Sequence, residues 1–358
     1  MASRSAPLVV HLVHSLEGGG TERVLLSLLR AFDHRSMRHA VVTLRDAGSF
    51  AAQLPDDVAC IALGTVGRSR TSGFRLAKVC ARLRPAIIHA RNVCTWPDAV
   101  MARMLVPGAK LVLGFHGLQS GGHFSCKDRC AARVARVLGA RFTSVSELGQ
   151  RQMAQELRVP LRQIEHLPNG IDPSRFDPHA AHTRHGVRES FGYLPHERVI
   201  GIVGSLAAVK GHDVLFSAVA HAALTIPTIR LLVVGDGPLR GALEAEAREL
   251  AIQNRVHFAG WRDDVPMLMS AMDACVCASR SEGMSNAVME AMASGLPLVS
   301  TSVGDHPSTI RHGLDGLLVP SGDASALAQA IQTLFGSPEQ AAAMGRSARA
   351  RIEEFGFA

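Results

Sequence analysis

The feature of this sequence that most constrains its fold is a regular alternation of short apolar runs with longer amphipathic stretches over nearly the whole chain. The amphipathic stretches have helical spacing, for example Glu22–Phe32, Phe74–Leu83, Leu239–Leu250 and Asn286–Ser294. Strands buried on both faces read as near-continuous apolar runs, so the pattern indicates parallel sheets covered by helices. The runs predict strands at Leu8–His14, His39–Leu44, Val58–Leu63, Ala86–Ala90, Leu111–Phe115, Phe142–Ser146, Gln163–Leu167, Val199–Val203, Ile229–Val234, Val256–Phe258, Ala274–Ala278, Leu298–Thr301 and Leu317–Val319.

A chain of 358 residues with this alternation is long enough for two domains. Residues 173–195 contain several Pro, His and Gly residues, which interrupt regular structure, and we predict that this segment is a linker. We therefore expect one doubly wound, Rossmann-like domain over residues 1–172 and another over residues 196–358. Ligands of such sheets bind at the carboxyl ends of the strands, so the cleft between the domains is the expected site.

The net charge of +7 is divided unevenly along the chain. Residues 1–172 carry 23 Lys and Arg against 12 Asp and Glu, a net charge of +11, whereas residues 173–358 carry 15 against 19, a net charge of −4. A basic first half can meet nucleic acid, an anionic membrane or a phosphorylated substrate. Because aromatic residues make up only 4% and no RNA-binding motif is visible, we expect no nucleic-acid partner.

Several features of the sequence predict a cytoplasmic protein. The seven Cys are an odd number without a C-x-x-C pair, which favours free thiols in a reducing compartment. The start of the chain, MASRSAPLVV, lacks the apolar core and cleavage site of a signal peptide. Uncharged stretches such as Leu111–Cys126 are shorter than the ~18 residues that a membrane span requires.

The segment Ser281–Pro297, SEGMSNAVMEAMASGLP, combines features of an anion site and a sugar site. Glu282 lies in the loop after a predicted strand, Ser285 is suited to cap the next helix, and Glu290 falls in the first turns of that helix. A helix N-terminus at the end of a parallel strand binds phosphate through its unpaired amides, and carboxylates accept hydrogen bonds from sugar hydroxyls. On spacing alone, Glu282 could equally be a capping residue and Glu290 a solvated one.

This segment resembles the E-x7-E signature of the family 4 retaining glycosyltransferases, and other motifs follow in the family's order. The resemblance covers almost the whole chain and implies an α/β GT-B fold, in which two Rossmann-like domains face each other across a cleft. The matching motifs are HSLEGGGTE at 14–22, LGFHG at 113–117, Ser144–Glu147, PNGID at 168–172, VGSLAAVKGHD at 203–213, VVGDGP at 233–238 and the loop Phe258–Pro266.

The resemblance also implies roles for individual residues. Glu282 would contact the donor sugar's hydroxyls, and His116 would donate a hydrogen bond to the sugar or support charge near the anomeric centre, which makes these two the catalytic candidates. Lys210 would neutralise the donor's diphosphate, and Glu290 would hold its ribose. The other implied donor-binding positions are Gly19 and Gly20, where a side chain would clash with the phosphates, the main-chain amides of Met284, Ser285, Asn286 and Ala287, and Ser205, Gly235 and Asp236.

The sequence departs from the family's pattern in two places. The family usually pairs its Lys with an Arg five residues earlier, and here that position is Ser205. The missing Arg removes one charge-assisted hydrogen bond to the phosphates, which weakens donor binding by about 1.5–3 kcal/mol. Arg280 is a candidate to supply the missing positive charge. The closing helix of the family is expected to be short or truncated in this chain.

No metal or other cofactor is expected. No two Asp stand at i and i+2, so a D-x-D metal motif is absent from the sequence. His123, Cys126 and Cys130, with Cys275 and Cys277 farther along, match no common zinc spacing. The glycines at 18–20 are not followed by a Walker A lysine and do not complete G-x-G-x-x-G, which argues against dinucleotide binding.

Two predicted helices of the first half carry basic faces that could meet the acceptor. Arg75, Lys78 and Arg82 share one face, and so do Arg129, Arg133 and Arg136, with Val134, Val137 and Leu138 expected to face the core. These faces are either ordinary solvated surfaces or a docking surface for reversible contact with anionic lipid, at about 1 kcal/mol per basic residue.

The sequence thus predicts a metal-independent, retaining glycosyltransferase. It would move a hexose from a nucleotide-diphosphate sugar to a saccharide or lipid-linked acceptor, in the cytoplasm or at the inner face of the plasma membrane. Two alternatives remain open at this stage. A GT-B-fold epimerase or hydrolase would act without an acceptor, and a non-catalytic nucleotide-sugar-binding protein would explain Ser205 and the short tail.

Overall fold

The computed structural model describes residues 6–17, 19–65, 71–117, 122–176 and 181–355. The described residues form two compact units, the first ending at Asn169 and the second beginning at Gly170. Each unit has its own sheet and its own apolar core.

The first unit contains a parallel sheet of seven strands in the order β3-β2-β1-β4-β5-β6-β7. Its central strands are buried along their length, and helices cover the sheet. The strands are β1 (Leu8–Val13), β2 (Arg38–Thr43), β3 (Ala59–Ala62), β4 (Ile87–Ala90), β5 (Lys110–Phe115), β6 (Arg141–Ser144) and β7 (Ile164–His166). The helices are α1 (Gly20–Ala31), α2 (Ser72–Leu83), α3 (Trp96–Leu105), α4 (Cys126–Val137) and α5 (Glu147–Leu157).

The second unit contains a parallel sheet of six strands in the order β10-β9-β8-β11-β12-β13. The strands are β8 (Arg198–Val203), β9 (Ile229–Val234), β10 (Val256–Gly260), β11 (Ala274–Cys277), β12 (Leu298–Thr301) and β13 (Leu317–Val319). The helices are α6 (Ala181–Ser190), α7 (His212–Ala222), α8 (Arg240–Glu249), α9 (Val265–Ser270), α10 (Asn286–Ala293), α11 (His306–Thr309), α12 (Ala324–Gly336) and α13 (Pro338–Ile352).

Both sheets reverse their winding direction at one point. In the first sheet β1 lies beside β4, and in the second β8 lies beside β11. The loops that follow the two strands at such a point diverge to opposite faces of the sheet and leave room for a ligand between them. The loops after β1 and β4, and those after β8 and β11, are therefore where each unit can hold a ligand.

The predicted strands are all confirmed, with ends that differ by at most two residues. The reason is that each strand is an apolar run that the sheet buries, for example LVVHLV in β1 and ACVC in β11. The two doubly wound sheets confirm the predicted α/β class. Among the described helices, none is long and apolar enough to cross a membrane.

The segment predicted to be a linker contains a helix, α6. Arg184 and Arg188 of this helix both pair with Asp273, at 2.5 and 3.3 Å. Arg188 also donates to the carbonyl oxygens of Leu194 and Glu197, at 3.0 and 2.7 Å. The contacts with Asp273 therefore hold residues 181–190 in place, although their local sequence has few apolar residues and a central glycine.

The prediction for the core face of α4 was wrong at one residue. Val134 and Leu138 pack against the core of the first unit, as expected. Val137, however, is 86% exposed. It lies four residues after Arg133, which places both on the outer face of the helix. The basic face of α4 thus carries an apolar group.

Candidate functional site

The candidate site of the second unit lies where the loops after β8 and β11 meet. Two glycines allow a close approach of backbone there. Gly211 has a φ of +64°, and a Cβ on it would lie 2.1 Å from the carbonyl oxygen of Ala278. Gly235, after β9, has a φ of +140°, and its Cβ would lie 1.9 Å from the carbonyl oxygen of Gly204. Only glycine fits both the conformation and the space at these positions.

At the centre of the site, Lys210 pairs directly with Glu282. Lys210 Nζ lies 2.5 Å from Glu282 Oε1, and the hydroxyl group of Ser279 donates to the same oxygen at 2.7 Å. The two side chains are only 24% and 10% exposed. The ammonium group is therefore held against the carboxylate in a largely desolvated position, at the point where the sheet reverses direction.

The pKa of Lys210 is raised by this environment. Burial is the largest single influence and lowers the pKa, but attraction to Glu282 and Cys277 and the hydrogen bond to Glu282 together outweigh it. Lys210 is thus a fixed positive charge at neutral pH. The loop of its partner Glu282 leads into the N-terminus of α10, a second feature that favours an anion.

The loop that carries Glu282 is braced from the end of β12. Thr301 Oγ1 donates to the carbonyl oxygen of Ser279 at 2.7 Å, and the amide of Asp305 donates to the carbonyl oxygen of Gly283 at 3.0 Å. Gly304, with a φ of +54°, packs so closely that a Cβ would lie 2.4 Å from the carbonyl oxygen of Glu282. This backbone packing fixes the loop that presents the carboxylate.

The helix of the E-x7-E segment begins where the sequence predicted. Ser285 occupies the N-cap position of α10, but its side chain makes no capping hydrogen bond. Met284 and Ser285 are buried, whereas Asn286, Ala287 and Glu290 are half-buried. Glu290 lies on the second turn of α10, beyond the loop of Glu282, so both predicted carboxylates belong to the carboxyl edge of one sheet.

Three further predicted positions lie in the loops after β8 and β9. Ser205 is exposed, and the amide of Leu206 donates to the carbonyl oxygen of Asp236 at 3.0 Å, which ties the two loops together. The carboxylate of Asp236 accepts from the amide of Gly237 at 2.7 Å. Gly235 and Asp236 therefore shape the backbone beside Ser205.

Arg280, the candidate replacement for the missing Arg, forms an ion pair with Asp213 in this structure. Its two terminal nitrogens donate to the two carboxylate oxygens of Asp213, at 2.8 and 2.5 Å. It also donates to the carbonyl oxygen of Ala208 at 2.9 Å. Arg280 thus braces the segment that carries Lys210, and Lys210 is the cation that pairs with Glu282.

In the first unit, the reversal of the sheet also brings together an acid and a base. Gly19 is the N-cap of α1 and Gly20 its first residue. Glu22 follows in the first turn, and Arg91 follows β4, buried to 3% exposure. Burial lowers the pKa of Arg91 to about 10, and the charge of Glu22 opposes this shift. A Cβ on Gly19 would meet only the carboxylate end of Glu22, which can move.

His116 directly follows β5 and is half-buried in the first unit. Burial and the charge of Arg91 lower its pKa to about 3, so the ring is neutral at physiological pH. His11 is buried and His89 is half-buried, with their rings 5.6 Å apart, and the pKa values of both are lowered mainly by removal from water. A neutral His116 donates or accepts a hydrogen bond and carries no charge of its own.

The structure adds two residues that the sequence did not single out for the site. One ring nitrogen of His306 and the sulfur of Cys277 lie within 4.8 Å of each other and of a Glu282 carboxylate oxygen. Cys277 ends β11, and His306 lies five residues after the end of β12, so nearness to the carboxyl end of a strand is the signal that could have found them. Cys126 and Cys130, the sequence's other metal candidates, are exposed on α4, and the nearby His123 pairs with Glu156 at 3.0 Å.

Two family models match successive parts of the chain. One, described as Glycosyltransferase Family 4, matches residues 18–175, and the other, described as Glycosyl transferases group 1, matches residues 197–337. The two matches follow the two units of the structure and together leave little of the chain outside them.

Curated relatives match a large part of the chain. A 2-deoxystreptamine glucosyltransferase of Streptomyces kanamyceticus is 32% identical over 64% of this chain and 59% of its own length. A GDP-mannose-dependent alpha-(1-6)-phosphatidylinositol monomannoside mannosyltransferase of Mycolicibacterium smegmatis is 30% identical over 67% of this chain and 64% of its own length. The chain thus spans about three fifths of the length of these two relatives.

Solved structures match almost the whole chain. The crystal structure of HepE from Anabaena in complex with UDP and glucose has a TM-score of 0.84 and is 23% identical, covering 97% of this chain and 95% of its own. At this identity the similarity establishes the fold, which is the predicted GT-B fold.

Proposed function

From the premise that the chain belongs to the family 4 glycosyltransferases, we propose that it moves a hexose from a nucleotide-diphosphate sugar to a hydroxyl group of a saccharide or lipid-linked acceptor. The reaction would serve polysaccharide or glycolipid synthesis, proceed with retention and need no metal ion. The observation that carries this proposal is the pair of Lys210 and Glu282, largely buried where the second sheet reverses direction.

The pair is suited to a donor that carries both phosphates and hydroxyl groups. A diphosphate offers Lys210 a stronger anionic partner than one carboxylate, so its arrival would draw the ammonium group away from Glu282. The freed carboxylate can then accept hydrogen bonds from sugar hydroxyls. When the donor binds, Lys210 would thus pair with its diphosphate and Glu282 with its sugar hydroxyls, in place of their contact with each other.

The arrangement also suits the charge that develops during the reaction. The bond between the anomeric carbon and the phosphate oxygen breaks, and negative charge grows on the leaving diphosphate. Lys210 and the first amides of α10 stabilise that charge. In a front-face route, the leaving phosphate takes the proton of the attacking acceptor hydroxyl, so no carboxylate nucleophile beneath the sugar is required.

Metal independence follows from the same reasoning. A metal ion would be needed to neutralise the diphosphate only if the protein supplied too little positive charge. Lys210 is a fixed cation, and α10, a helix of eight residues, begins at the end of the loop that carries its partner Glu282. We therefore expect full activity in the presence of a chelator of Mg²⁺ and Mn²⁺.

The first test is a thermal-shift panel of UDP, GDP and ADP on the purified chain, each with magnesium or with chelator. A ligand at ~100 times its dissociation constant stabilises a protein by about 2.7 kcal/mol, which raises Tm visibly. One nucleotide should stabilise the wild type without magnesium and fail to stabilise Glu290→Ala. If no nucleotide raises Tm, the donor site is absent and the proposal fails.

The second test uses the sugar form of the nucleotide that binds. Transfer is followed as a labelled glycoside formed on added saccharide or lipid-linked acceptors, and NMR of the product gives its anomeric configuration. Retention supports the proposed route, and inversion would refute it. Release of free sugar or of an epimer in the absence of an acceptor would instead identify a hydrolase or an epimerase.

We further propose that the first unit contacts anionic membrane through the outer face of α4. Arg133 and Val137 are both exposed there, one turn apart. A basic residue next to an exposed apolar one binds an anionic surface through attraction and insertion together. This face would bring the protein to a lipid-linked acceptor.

Sedimentation with lipid vesicles tests this contact. The protein should sediment with phosphatidylglycerol vesicles at low salt and not with phosphatidylcholine vesicles. Arg133→Gln combined with Val137→Ser should abolish sedimentation, while Arg151→Gln, on a surface pair of α5, should not. Equal sedimentation of the two variants would refute a role for α4.

A further inference from the structure

We propose that Cys277, Glu282 and His306 form a binding site for a soft divalent cation such as Zn²⁺ or Cd²⁺, and that its occupation blocks Glu282. The ligand atoms of the three residues lie within 4.8 Å of one another. Around tetrahedral zinc, sulfur at about 2.3 Å and nitrogen or oxygen at about 2.0–2.2 Å stand roughly 3.3–3.8 Å apart. Movements of about 1 Å in the side chains would therefore complete three of the four ligands.

The hydrogen bonds of His306 leave one ring nitrogen suited to a metal. Nδ1 lies 2.8 Å from the carbonyl oxygen of Thr301 and 2.8 Å from Ser300 Oγ. Because a carbonyl oxygen only accepts, Nδ1 carries the proton and Nε2 carries a lone pair. Metal-binding histidines are commonly oriented by this same bond to a backbone carbonyl.

The Nε2 atom of His306 is also a buried polar atom without a hydrogen-bond partner among the described residues. The side chain is 1% exposed, so bulk solvent does not reach it. An unsatisfied buried lone pair destabilises a folded protein. Coordination to a cation removes that deficit, which makes the cation site favourable in the folded protein.

Cys277 supplies the preference for a soft metal. Its thiol is buried at the end of β11 and lies 3.6 Å from Ser279 Oγ. Binding of the cation replaces the thiol proton, which passes to solvent, and forms a metal–sulfur bond without any redox change. Sulfur and imidazole ligands favour Zn²⁺ and Cd²⁺ over Mg²⁺ and Ca²⁺. The site is therefore distinct from a magnesium site for the diphosphate.

Lys210 limits the affinity of this site. Its ammonium group already occupies Glu282 Oε1 at 2.5 Å, and two cations at one carboxylate repel each other. The cation binds only if the flexible side chain of Lys210 turns away. Replacement of Lys210 by an uncharged residue of similar length should accordingly strengthen the binding of the cation.

The first experiment is an absorption titration of the chelator-treated full chain with Co²⁺ and Cd²⁺. Wild type should give thiolate-to-metal charge-transfer bands at one equivalent, and Mg²⁺ should give none. Cys277→Ser should lose the bands and His306→Gln should weaken binding more than about tenfold. Cys126→Ser, at an exposed cysteine, is the matched control and should behave as wild type. Bands that persist in Cys277→Ser would overturn the proposal.

Two further measurements test the cation site independently of the proposed function. Only the claim that the cation blocks Glu282 rests on the proposed function. Lys210→Met should bind Cd²⁺ more tightly than wild type, and unchanged or weaker binding would overturn the arrangement described. The cation should then compete in the thermal-shift assay with the sugar nucleotide, whose sugar hydroxyls would contact Glu282, and not with the nucleoside diphosphate alone. Absorption bands without competition would uphold the cation site and refute Glu282 as a donor residue. Melting curves of each variant establish that it is folded.

Discussion

Lys210 and Glu282, 72 residues apart in the sequence, share a 2.5 Å hydrogen bond across the two loops at which the second sheet reverses direction. An acid and a base, Glu22 and Arg91, follow the corresponding strands of the first sheet and attract each other electrostatically. Each unit thus places an acid and a base after the two strands between which a doubly wound sheet holds its ligand.

The pairing of Lys210 and Glu282 should appear as a coupling energy. Lys210→Met or Glu282→Gln alone leaves one largely buried charge without its partner, which destabilises a protein by about 3–5 kcal/mol. The double variant removes both charges and should be less destabilised than the sum of the single variants. Urea denaturation of the four proteins measures the difference.

A surface pair provides the control for this cycle. Arg151 and Glu147 lie 3.3 Å apart on α5, with both side chains more than half exposed. Their coupling should not exceed about 0.5 kcal/mol. If the coupling energy of Lys210 and Glu282 is no larger than this, the prediction that burial strengthens their interaction is wrong.

Gly235 should tolerate no side chain. Its φ of +140° is unfavourable for other residues, and a Cβ would lie 1.9 Å from the backbone oxygen of Gly204. Gly235→Ala should therefore lower stability strongly and weaken nucleotide binding, since the loops after β8 and β9 would separate. Gly186→Ala is the control, because that glycine is exposed in the middle of α6 with open space around it. It should raise stability by up to about 1 kcal/mol, as urea denaturation would show.

The strands of this protein could be predicted because each is a local apolar run, whereas α6 could not. The sequence of α6, AHTRHGVRES, has few apolar residues and a central glycine. Its position depends on Asp273, more than 80 residues away, which accepts from Arg184 and Arg188. Local patterns contain no information on a partner at that distance.

The candidate site was predicted only in part for the same reason. Glu282 and Lys210 could be singled out from their motifs, but their direct contact depends on the order of the strands. Cys277 and His306 are 29 positions apart in the sequence and match no zinc spacing. They meet because β11 and β12 are neighbours in the sheet and end at the same edge.

Asp273 should be required for the docking of α6. Its carboxylate accepts from Arg184 and Arg188, and also from the amide of Val199, the second residue of β8, at 2.7 Å. Asp273→Ala should destabilise the protein and increase hydrogen exchange in residues 181–190 well before the sheet exchanges. Glu147→Ala, which removes only an exposed partner, should leave exchange in that segment unchanged. Unchanged exchange in Asp273→Ala would show that other contacts hold the helix.

The first unit should lose stability as the pH falls below 6.5. Burial keeps the pKa values of His11, His89 and His116 below the ordinary value of 6.5, to about 3 for His116. The unfolded chain takes up protons on these rings at a higher pH than the folded protein does, so acid favours unfolding. Between pH 7.5 and 5.5, His116 alone should account for a loss of up to about 1.4 kcal/mol. His11 and His89 act in the same direction.

Three groups of the same unit oppose this effect. The pKa of His34 is raised, chiefly by its hydrogen bond to Asp57, and the pKa values of Glu22 and Asp98 are raised by burial, so all three take up a proton more readily in the folded protein. The pKa of His39 is lowered by burial as well, so four histidines outnumber these three groups, and stability should still fall with pH. Urea denaturation at pH 7.5, 6.5 and 5.5 measures the slope, and His116→Gln should make it shallower. If the free energy of unfolding changes with pH equally in the variant and in wild type, His116 takes up its proton as readily in the folded protein as in the unfolded chain, and the prediction is wrong.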